Sequence, residues 1–165
     1  MSTVSNSPTE TADAPVLFSQ DGPVGRILLN RPKALNALDL VMVDMMMAQL
    51  KSWEQDPSVK VVIIEGMGEK AFCAGGDIRG LYDARKVDDE EMLDAFYRRE
   101  YHLNHYIATY PKPYIALMDG ITMGGGVGVS VHGRFRVVTE RTLFAMPETG
   151  IGFFPDVGGG YFLPR

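Results

Sequence analysis

The sequence predicts a single α/β domain, and three observations support that prediction. β-branched runs such as "VKVVIIEG" alternate with longer segments that carry apolar residues at helical spacing. Glycine-rich loops, "AGGD" and "MGGGVG", follow two of the predicted strands. The 165 residues are 45% hydrophobic and 22% charged, which is enough apolar material for one core. We therefore expect a folded unit over residues 15–165, preceded by a disordered polar tail over residues 1–14.

The first part of the folded unit is predicted to be a hairpin, a helix and a buried strand. "VLFSQDGPVGRILLN" places apolar runs on both sides of "DGP", which is typical of a tight turn between strands. "LDLVMVDMMMAQLKSWEQD" repeats apolar residues at helical spacing and ends before Pro57. Asn36 or Asp39 can cap this helix. "VKVVIIEG" then predicts a strand inside a sheet.

The second part is predicted to contain another helix and further strands. The segment 88–108 begins with "DDEE", which suits the positive end of a helix, and continues with apolar positions 92, 96, 103 and 107. "PYIALMDG", "FRVVTE" and "TLFAM" have strand composition, and "ITMGGGVGVSVHG" leads from a strand into a glycine loop. Strands and helices therefore alternate along the whole folded unit.

Charge and composition argue against several classes of function. The net charge of -5 and the pI near 5.2 argue against a nucleic-acid partner. No apolar run approaches membrane-spanning length, so we expect no membrane partner. The single cysteine, Cys73, suits a reducing compartment, and the N-terminus lacks a signal-peptide or transit-peptide pattern, which predicts a cytoplasmic protein. His102 and His105 have no third ligand in view, so no metal site is expected.

The two glycine loops and two acids are the candidate chemistry. A glycine loop that opens a helix leaves backbone N–H groups free at the positive helix end, an arrangement that stabilises an anion. Close packing or a positive φ explains a single glycine loop equally well. Glu148 and Asp156 stand eight residues apart in the apolar segment "MPETGIGFFPDVGGG". A carboxylate in such a setting is costly unless it is hydrogen-bonded, paired or used for proton chemistry.

Four motifs resemble the crotonase (enoyl-CoA hydratase/isomerase) superfamily in order and spacing: "NRPKALNAL", "KAFCAGGDI", "MDGITMGGGVGVS" and "FAMPETGIGFFPDVGG". The resemblance covers about residues 16–165 and implies a crotonase-like ββα spiral, incomplete at its C-terminal end because relatives run further. It also implies an acyl-CoA substrate, no separate cofactor, and self-association. By position, the backbone N–H groups of Gly76 and Gly125 would polarise the thioester carbonyl.

Departures from the hydratase pattern point to one branch of this superfamily. Hydratases carry one acid where this chain has Gly128, and a second acid at the position of Glu148. With Asp156, the segment resembles the 3-hydroxyisobutyryl-CoA hydrolase branch of valine catabolism. The resemblance implies that Glu148 attacks the thioester or activates water, and that Asp156 orients water or the 3-hydroxyl of the substrate. An enoyl-CoA hydratase or isomerase, and a catalytically incomplete fragment, are the alternatives.

The resemblance also implies contacts with the rest of the acyl-CoA molecule. The backbone at Ala34 and Leu35 would pass under the adenine or pantetheine. Arg79 stands at the family's position for a cation near the CoA phosphates. The remaining expected substrate contacts flank the two oxyanion glycines: Ala74, Asp77, Ile78 and Gly124.

Overall fold

The computed structural model describes residues 12–165 and confirms the alternation of strands and helices. The strands are β1 (Val16–Asp21), β2 (Val24–Leu29), β3 (Val61–Gly66), β4 (Ala71–Cys73), β5 (Tyr114–Met118), β6 (Ile121–Met123), β7 (Phe135–Val138) and β8 (Leu143–Ala145). The helices are α1 (Leu40–Gln55), α2 (Ile78–Lys86), α3 (Glu90–Ala108), α4 (Gly125–Val131) and α5 (Gly159–Phe162), with 3₁₀ helices at Pro32–Ala34 and Glu148–Ile151.

The predicted disordered tail over residues 1–14 lies mostly outside the described residues. Where the described chain begins, the side chain of Asn30 donates hydrogen bonds to the carbonyl oxygens of Ala12 and Ala14 at 3.2 and 2.9 Å. These two bonds attach residues 12–14 to the end of β2.

The strands form two sheets, and the chain passes repeatedly from one sheet to the other as it winds. A five-stranded sheet has the order β1-β2-β3-β5-β7, and a three-stranded sheet has the order β4-β6-β8. The predicted hairpin of β1 and β2 is antiparallel, and the other neighbouring strands are parallel. β3 and β4, β5 and β6, and β7 and β8 each place one strand in each sheet before helical chain follows. The chain therefore winds as the expected ββα spiral.

Helix α1 covers one face of the larger sheet. Its N-cap is Asp39, whose side chain accepts a hydrogen bond from the backbone N–H of Met42 at 2.9 Å. Four fully buried residues of α1 recur at helical spacing: Met42, Val43, Met46 and Leu50. They pack into the same core as fully buried side chains of β2 and β3: Ile27, Leu29, Val62 and Ile64. Each such side chain stabilises the fold by about 1.5–3 kcal/mol relative to an exposed one.

Asn36, the other candidate cap, has a different structural role. Its side chain is fully buried and donates to the carbonyl oxygens of Met67 and Ala71 at 3.0 and 2.9 Å. It also accepts from the backbone N–H of Arg31 at 3.0 Å. Asn36 therefore fixes the 31–37 turn against the connection between β3 and β4.

Helix α3 begins and ends close to the predicted bounds. Asp89 caps it by accepting from the backbone N–H of Met92 at 3.0 Å, and acidic residues fill its first turn. It packs against α1, α2 and α4, and its buried face includes the polar residues Glu100 and Asn104. Within residues 12–165, no helix combines the length and apolar character needed to cross a membrane.

The sequence patterns do not predict β4, and they predict α2 only as a helix that the "AGGD" loop can open. β4 has three buried residues, too few to show a period. α2 contains Gly80, which weakens a helical pattern, and it begins because the side chain of Asp77 accepts from the N–H of Gly80 at 3.1 Å. The segment interpreted as one loop after β3 therefore contains a strand, the "AGGD" turn and a helix.

Candidate functional site

A cavity of about 770 Å³ lies where the two glycine loops, α2, α3 and the segment after β8 meet. Its volume is in the range of small-molecule sites. Most of the sequence-predicted site residues lie in its wall: Gly76, Gly125, Glu148, Asp156, Ala74, Ile78 and Gly124. The apolar part of the wall comes chiefly from Leu81, Leu93, Phe96, Tyr97, Ile151 and Phe153.

The two glycine loops meet at one side of this cavity. A Cβ atom placed on Gly125 would lie 3.2 Å from the backbone nitrogen of Gly76, so the two residues are neighbours. Gly125 begins α4, and Gly76 precedes the capping residue of α2. In the described part of the chain, neither N–H donates a hydrogen bond to another residue. Two free amides side by side can stabilise negative charge that develops on a carbonyl oxygen.

Close packing also requires glycine in these loops. A Cβ atom on Gly126 would lie 2.3 Å from the carbonyl oxygen of Cys73, and one on Gly125 would lie 2.3 Å from Oε1 of Glu100. Gly124 has a φ of 48°, a left-handed conformation that favours glycine. The two explanations offered for the loops are therefore compatible, because close packing holds the backbone while its amides remain free.

Glu148 is a buried acid without a hydrogen-bond partner at one of its oxygens. It begins the 3₁₀ helix after Pro147, is 8% exposed, and its Oε2 has no partner among residues 12–165. A Cβ atom on Gly124 would lie 2.9 Å from its Oε1, so the carboxyl group lies against the glycine loop. Burial raises the pKa of Glu148, and the charge of Asp156 adds to that rise. Such a group suits nucleophilic attack or proton transfer.

Asp156 lies in the same wall and is held by a tyrosine. The Tyr101 hydroxyl donates to Oδ2 of Asp156 at 2.7 Å. Burial raises the pKa of Asp156, while the hydrogen bond from Tyr101 opposes that rise. Asp156 does not cap α5, because the N-cap position is Gly158 and no side chain caps that helix. The sequence patterns give no signal for Tyr101, which contacts Asp156 only through the fold.

Glu100 is a third acid in the cavity wall, and it belongs to none of the sequence motifs. It is 2% exposed, lines the cavity, and its Oε1 has no partner in the part of the chain that the structure describes. Burial raises its pKa to about 8, and the charges of Asp156 and Glu148 add to that rise. A usable signal exists, because position 100 falls four residues after Phe96 on the buried stripe of α3.

Asp77 and Arg79 are not placed in the cavity wall. Asp77 caps α2, and Arg31 donates to its Oδ2 at 2.8 Å. Partial burial by itself would raise the pKa of Asp77. The hydrogen bond from Arg31 outweighs this effect, so the pKa of Asp77 lies below its usual value. Arg79 is exposed on α2. Arg85, six residues later on the same helix, is also exposed, but it lines the wall and pairs with Glu90. The side chain of Asp77 therefore has a structural role, and Arg85 is a cation closer to the site.

Ala34 and Leu35 lie beside the cavity and not in it. Leu35 lines a separate cavity of about 450 Å³, while Ala34 is exposed in the 3₁₀ helix before it. The carbonyl oxygen of Leu35 accepts from the N–H of Ala74 at 3.0 Å. This bond ties the 31–37 turn to the loop that carries Gly76.

Curated relatives share most of this chain. A 3-hydroxyisobutyryl-CoA hydrolase, mitochondrial, from Danio rerio is 63% identical over 154 residues, which are 93% of this chain and 40% of the relative. The protein of the same name from Homo sapiens is 60% identical over 150 residues, which are 91% of this chain and 39% of the relative. The chain therefore spans about 40% of the length of the curated relatives it matches.

The predicted cytoplasmic location is wrong, because it is contradicted by the names of these relatives, which describe them as mitochondrial. The prediction depended on Cys73 and on the N-terminal composition. An unpaired cysteine reports a reducing environment and does not distinguish one reducing compartment from another.

Solved structures give the same fold. A carnitinyl-CoA dehydratase from Mycobacterium thermoresistibile has a TM-score of 0.88 and 52% identity over 92% of this chain and 44% of its own. An enoyl-CoA hydratase from Rhodobacter sphaeroides 2.4.1 has a TM-score of 0.89 and 47% identity over 92% of this chain and 45% of its own. The family model described as enoyl-CoA hydratase/isomerase matches residues 24–165. The paired glycine loops, the ββα spiral and these matches show that the chain belongs to the enoyl-CoA hydratase/isomerase family.

Proposed function

We propose that the full-length protein hydrolyses a short-chain 3-hydroxyacyl-CoA thioester, with 3-hydroxyisobutyryl-CoA as the first candidate. One observation carries the proposal: Glu148 and Asp156 line the same cavity as Gly76 and Gly125, whose amides are free. The names of the relatives support this substrate. A role in valine catabolism, which the sequence resemblance implies, is part of the proposal. The products would be 3-hydroxyisobutyrate and CoA.

The proposed reaction uses backbone and carboxylate groups only. The thioester oxygen lies between the amides of Gly76 and Gly125, which stabilise the charge that forms on it. Glu148 attacks the carbonyl carbon, the carbon–sulfur bond breaks, and water then hydrolyses the resulting anhydride to regenerate Glu148. In a second route, Glu148 accepts a proton from water that attacks the thioester directly. Neither route needs a metal or a separate cofactor.

Substrate binding is proposed to use both backbone and cationic groups. Ala74, Ile78 and Gly124 line the cavity beside the oxyanion glycines, which supports a proposed contact with the acyl group and pantetheine. Arg85 lines the wall and can approach the CoA phosphates, a role expected earlier for Arg79.

The second candidate, an enoyl-CoA hydratase, is supported by the names of structural neighbours and by Glu148. The packing around Gly128 argues against it. A Cβ atom on Gly128 would lie 2.8 Å from Oδ1 of Asn104 and 2.9 Å from Cβ of Val157. The position at which hydratases carry their other acid therefore has no space for a side chain here.

We also propose that the protein self-associates. β7 and β8 are the last strands of their sheets, and their apolar side chains are exposed, including Phe135, Val138 and Leu143. Contiguous exposed apolar surface is typical of protein interfaces.

Glu148→Gln tests the hydrolase function in the full-length protein. We expect thiol release from 3-hydroxyisobutyryl-CoA to fall about a thousandfold or more, because the amide can neither attack nor accept a proton. Binding of the CoA ester should stay near normal, since the side chain keeps its size. Glu140→Gln, a change at an exposed acid, is the matched control and should keep full activity.

Two results would reject this function. A fully active Glu148→Gln enzyme would remove the hydrolase mechanism. A wild-type enzyme that changes enoyl-CoA absorbance without releasing thiol would instead identify a hydratase.

A further inference from the structure

The turn that follows Asp156 has an unusual backbone. The N–H of Gly159 donates to the carbonyl oxygen of Asp156 at 2.6 Å, which closes a turn over residues 156–159. Its two central residues, Val157 and Gly158, have φ values of 40° and 90°, both positive as in a type I′ turn. Such positions normally hold glycine, asparagine or aspartate, because a β-branched side chain crowds the backbone there. Of the four non-glycine residues with a positive φ within residues 12–165, Val157 is the only β-branched one.

The side chain of Val157 packs against Gly128 in α4. Val157 is 5% exposed, and a Cβ atom placed on Gly128 would lie 2.9 Å from the Cβ atom of Val157. The Cβ atom of Val157 is attached directly to the backbone, so a side chain at position 128 would displace the turn itself. The same added atom would lie 2.8 Å from Oδ1 of Asn104, but that amide is at the end of a rotatable side chain. The lack of a side chain at position 128 therefore lets the turn after Asp156 approach α4.

His132, the C-cap residue of α4, holds the backbone of the same turn. Its Nε2 lies 2.7 Å from the carbonyl oxygen of Val157. A carbonyl oxygen only accepts hydrogen bonds, so Nε2 carries the proton and donates. The ring also lies against Gly158, where an added Cβ atom would be 2.9 Å from its Cε1. The side chain and the carbonyl group of Val157 are therefore both held against α4.

These contacts decide where the carboxyl group of Asp156 lies. The φ torsion of Val157 sets the direction of Asp156 relative to the side chain and carbonyl group of Val157. With those two groups held, a change of φ from 40° to the usual value near −60° would swing Asp156 through about 100°. In the observed conformation Asp156 lines the acyl-CoA cavity of about 770 Å³ and accepts the hydrogen bond from Tyr101. A strained backbone persists only where its surroundings hold it, and it is often found beside functional groups.

We propose that Val157 is a positioning residue for Asp156, and that Gly128 and His132 hold it in this conformation. The proposal rests on the hydrolase function, in which Asp156 orients water or the 3-hydroxyl of the substrate. Val157, Gly128 and His132 do not line the acyl-CoA cavity, so they act through Asp156. Two departures from the hydratase pattern are then linked, because the glycine at position 128 provides the space that the turn after Asp156 needs.

Gly128→Ala in the full-length protein tests the proposal. Alanine suits a helix interior, but its methyl group would displace Val157 and with it Asp156. We expect kcat for thiol release from 3-hydroxyisobutyryl-CoA to fall about tenfold to a hundredfold. In an Asp156→Asn background the same change should lower kcat by less than about twofold, because the loss acts through Asp156. Equal losses in the two backgrounds would overturn the proposal.

Asn104→Ala separates the two neighbours of position 128. It removes the amide that the new methyl group would also meet, but it leaves Val157 in place. The double variant Gly128→Ala/Asn104→Ala should therefore stay as impaired as Gly128→Ala. A double variant no more impaired than Asn104→Ala alone would show that the clash lies at Asn104, and would reject the role of Val157.

His132 offers a test without added bulk. His132→Phe keeps a ring against Phe162 but removes the donor to Val157, and it should lower kcat about threefold to tenfold. His132→Gln can place an amide N–H near the position of Nε2, and it should retain most of the activity. His102→Phe, at an exposed position of α3, is the control and should match the wild type. A glutamine variant as impaired as the phenylalanine variant would overturn the role of His132.

Urea unfolding checks that each variant is folded. If Gly128→Ala does not fold, the two His132 variants, measured with and without Asp156→Asn, decide the proposal by the same criterion. Independent losses in an active enzyme would reject the positioning role alone. A wild-type protein that releases no thiol would instead reject the hydrolase function itself, so the two failures are distinguishable.

Discussion

The glycine loops and the segment that carries the acids are both rich in glycine, but their surroundings differ. In the loops, Gly125 and Gly126 are buried, and an added Cβ atom on either would meet another atom at 2.3 Å. In the acid segment, residues 148–160, an added Cβ atom on Gly150 or Gly160 would meet nothing within 4 Å. Phe154 in that segment is 63% exposed.

This difference separates two uses of glycine. In the loops, glycine permits close approach of the backbone, so the neighbouring amides of Gly76 and Gly125 are held in place by close packing. In the acid segment, glycine permits turns while the surface stays open. The glycine-loop side of the cavity is therefore closely packed, and the acid side depends on a few hydrogen bonds such as the one from Tyr101 to Asp156.

The largest expected effect is on folding, from alanine placed in the two regions. Gly126→Ala should lower the free energy of unfolding by about 3 kcal/mol, because its methyl group would clash with the backbone of Cys73. Gly160→Ala should change it by about 0.5 kcal/mol or less, since space is available and alanine favours helix α5. Urea unfolding of the full-length variants measures both values. Equal effects would show that the two regions are packed alike.

A smaller effect is expected from Glu100, whose Oε1 lies against Gly125 and whose pKa is raised by burial and by the charges of Asp156 and Glu148. Its pKa is about 8 in the folded protein and near 4.5 without the fold. Between these values the folded state keeps a proton that the unfolded state has lost, so the free energy of unfolding falls as pH rises. This contribution is complete below about pH 4.5, is lost through about pH 8, and has a slope of at most about 1.4 kcal/mol per pH unit.

Between pH 5 and 8, Glu100→Gln should remove the part of the fall in unfolding free energy that Glu100 causes. Urea unfolding across the pH range measures this change. Glu148 and Asp156, whose pKa values are also raised by burial, leave a residual slope of the same sign. Glu91→Gln, at an exposed position of the same helix, should unfold with the wild-type pH dependence. An unchanged slope in the Glu100 variant would mean that Glu100 is ionised in the folded protein.

The smallest expected effect concerns the acid segment alone. Tyr101→Phe removes the donor to Asp156, so the pKa of Asp156, already raised by burial, should rise further. The acidic limb of the pH dependence of kcat/KM should move to higher pH, and activity near neutrality should fall about threefold to tenfold. Tyr97→Phe keeps a ring in the same wall and should leave the profile unchanged. A profile that does not move in the Tyr101 variant would show that Asp156 does not control the acidic limb.

Motifs along the chain predict those parts of the site that are local in sequence. Gly76, Gly125, Glu148 and Asp156 each belong to a short motif, and the structure brings all four into one wall. Their roles in catalysis stay predictions. The α/β alternation, the hairpin and the helices α1 and α3 are also predictable, because apolar periodicity over ten or more residues is a strong signal.

Residues that act through packing between elements are not predictable in this way. Glu100 and Asn104 lie on a stripe interpreted as apolar, and only the packing of α3 against α4 shows what they face. Tyr101 meets Asp156 across 55 positions of the chain. Periodicity shows that a face is buried, but it does not show which element covers the face.

The position of Cys73 offers a way to observe the glycine loop opening. It is the chain's single cysteine, it is fully buried beneath Gly126, and burial raises the pKa of its thiol to about 12. While the loop packs against β4, a thiol reagent cannot reach Cys73, and the thiol is not in its reactive thiolate form. The rate at which such a reagent modifies Cys73 therefore reports how often the loop separates from β4, without any introduced label.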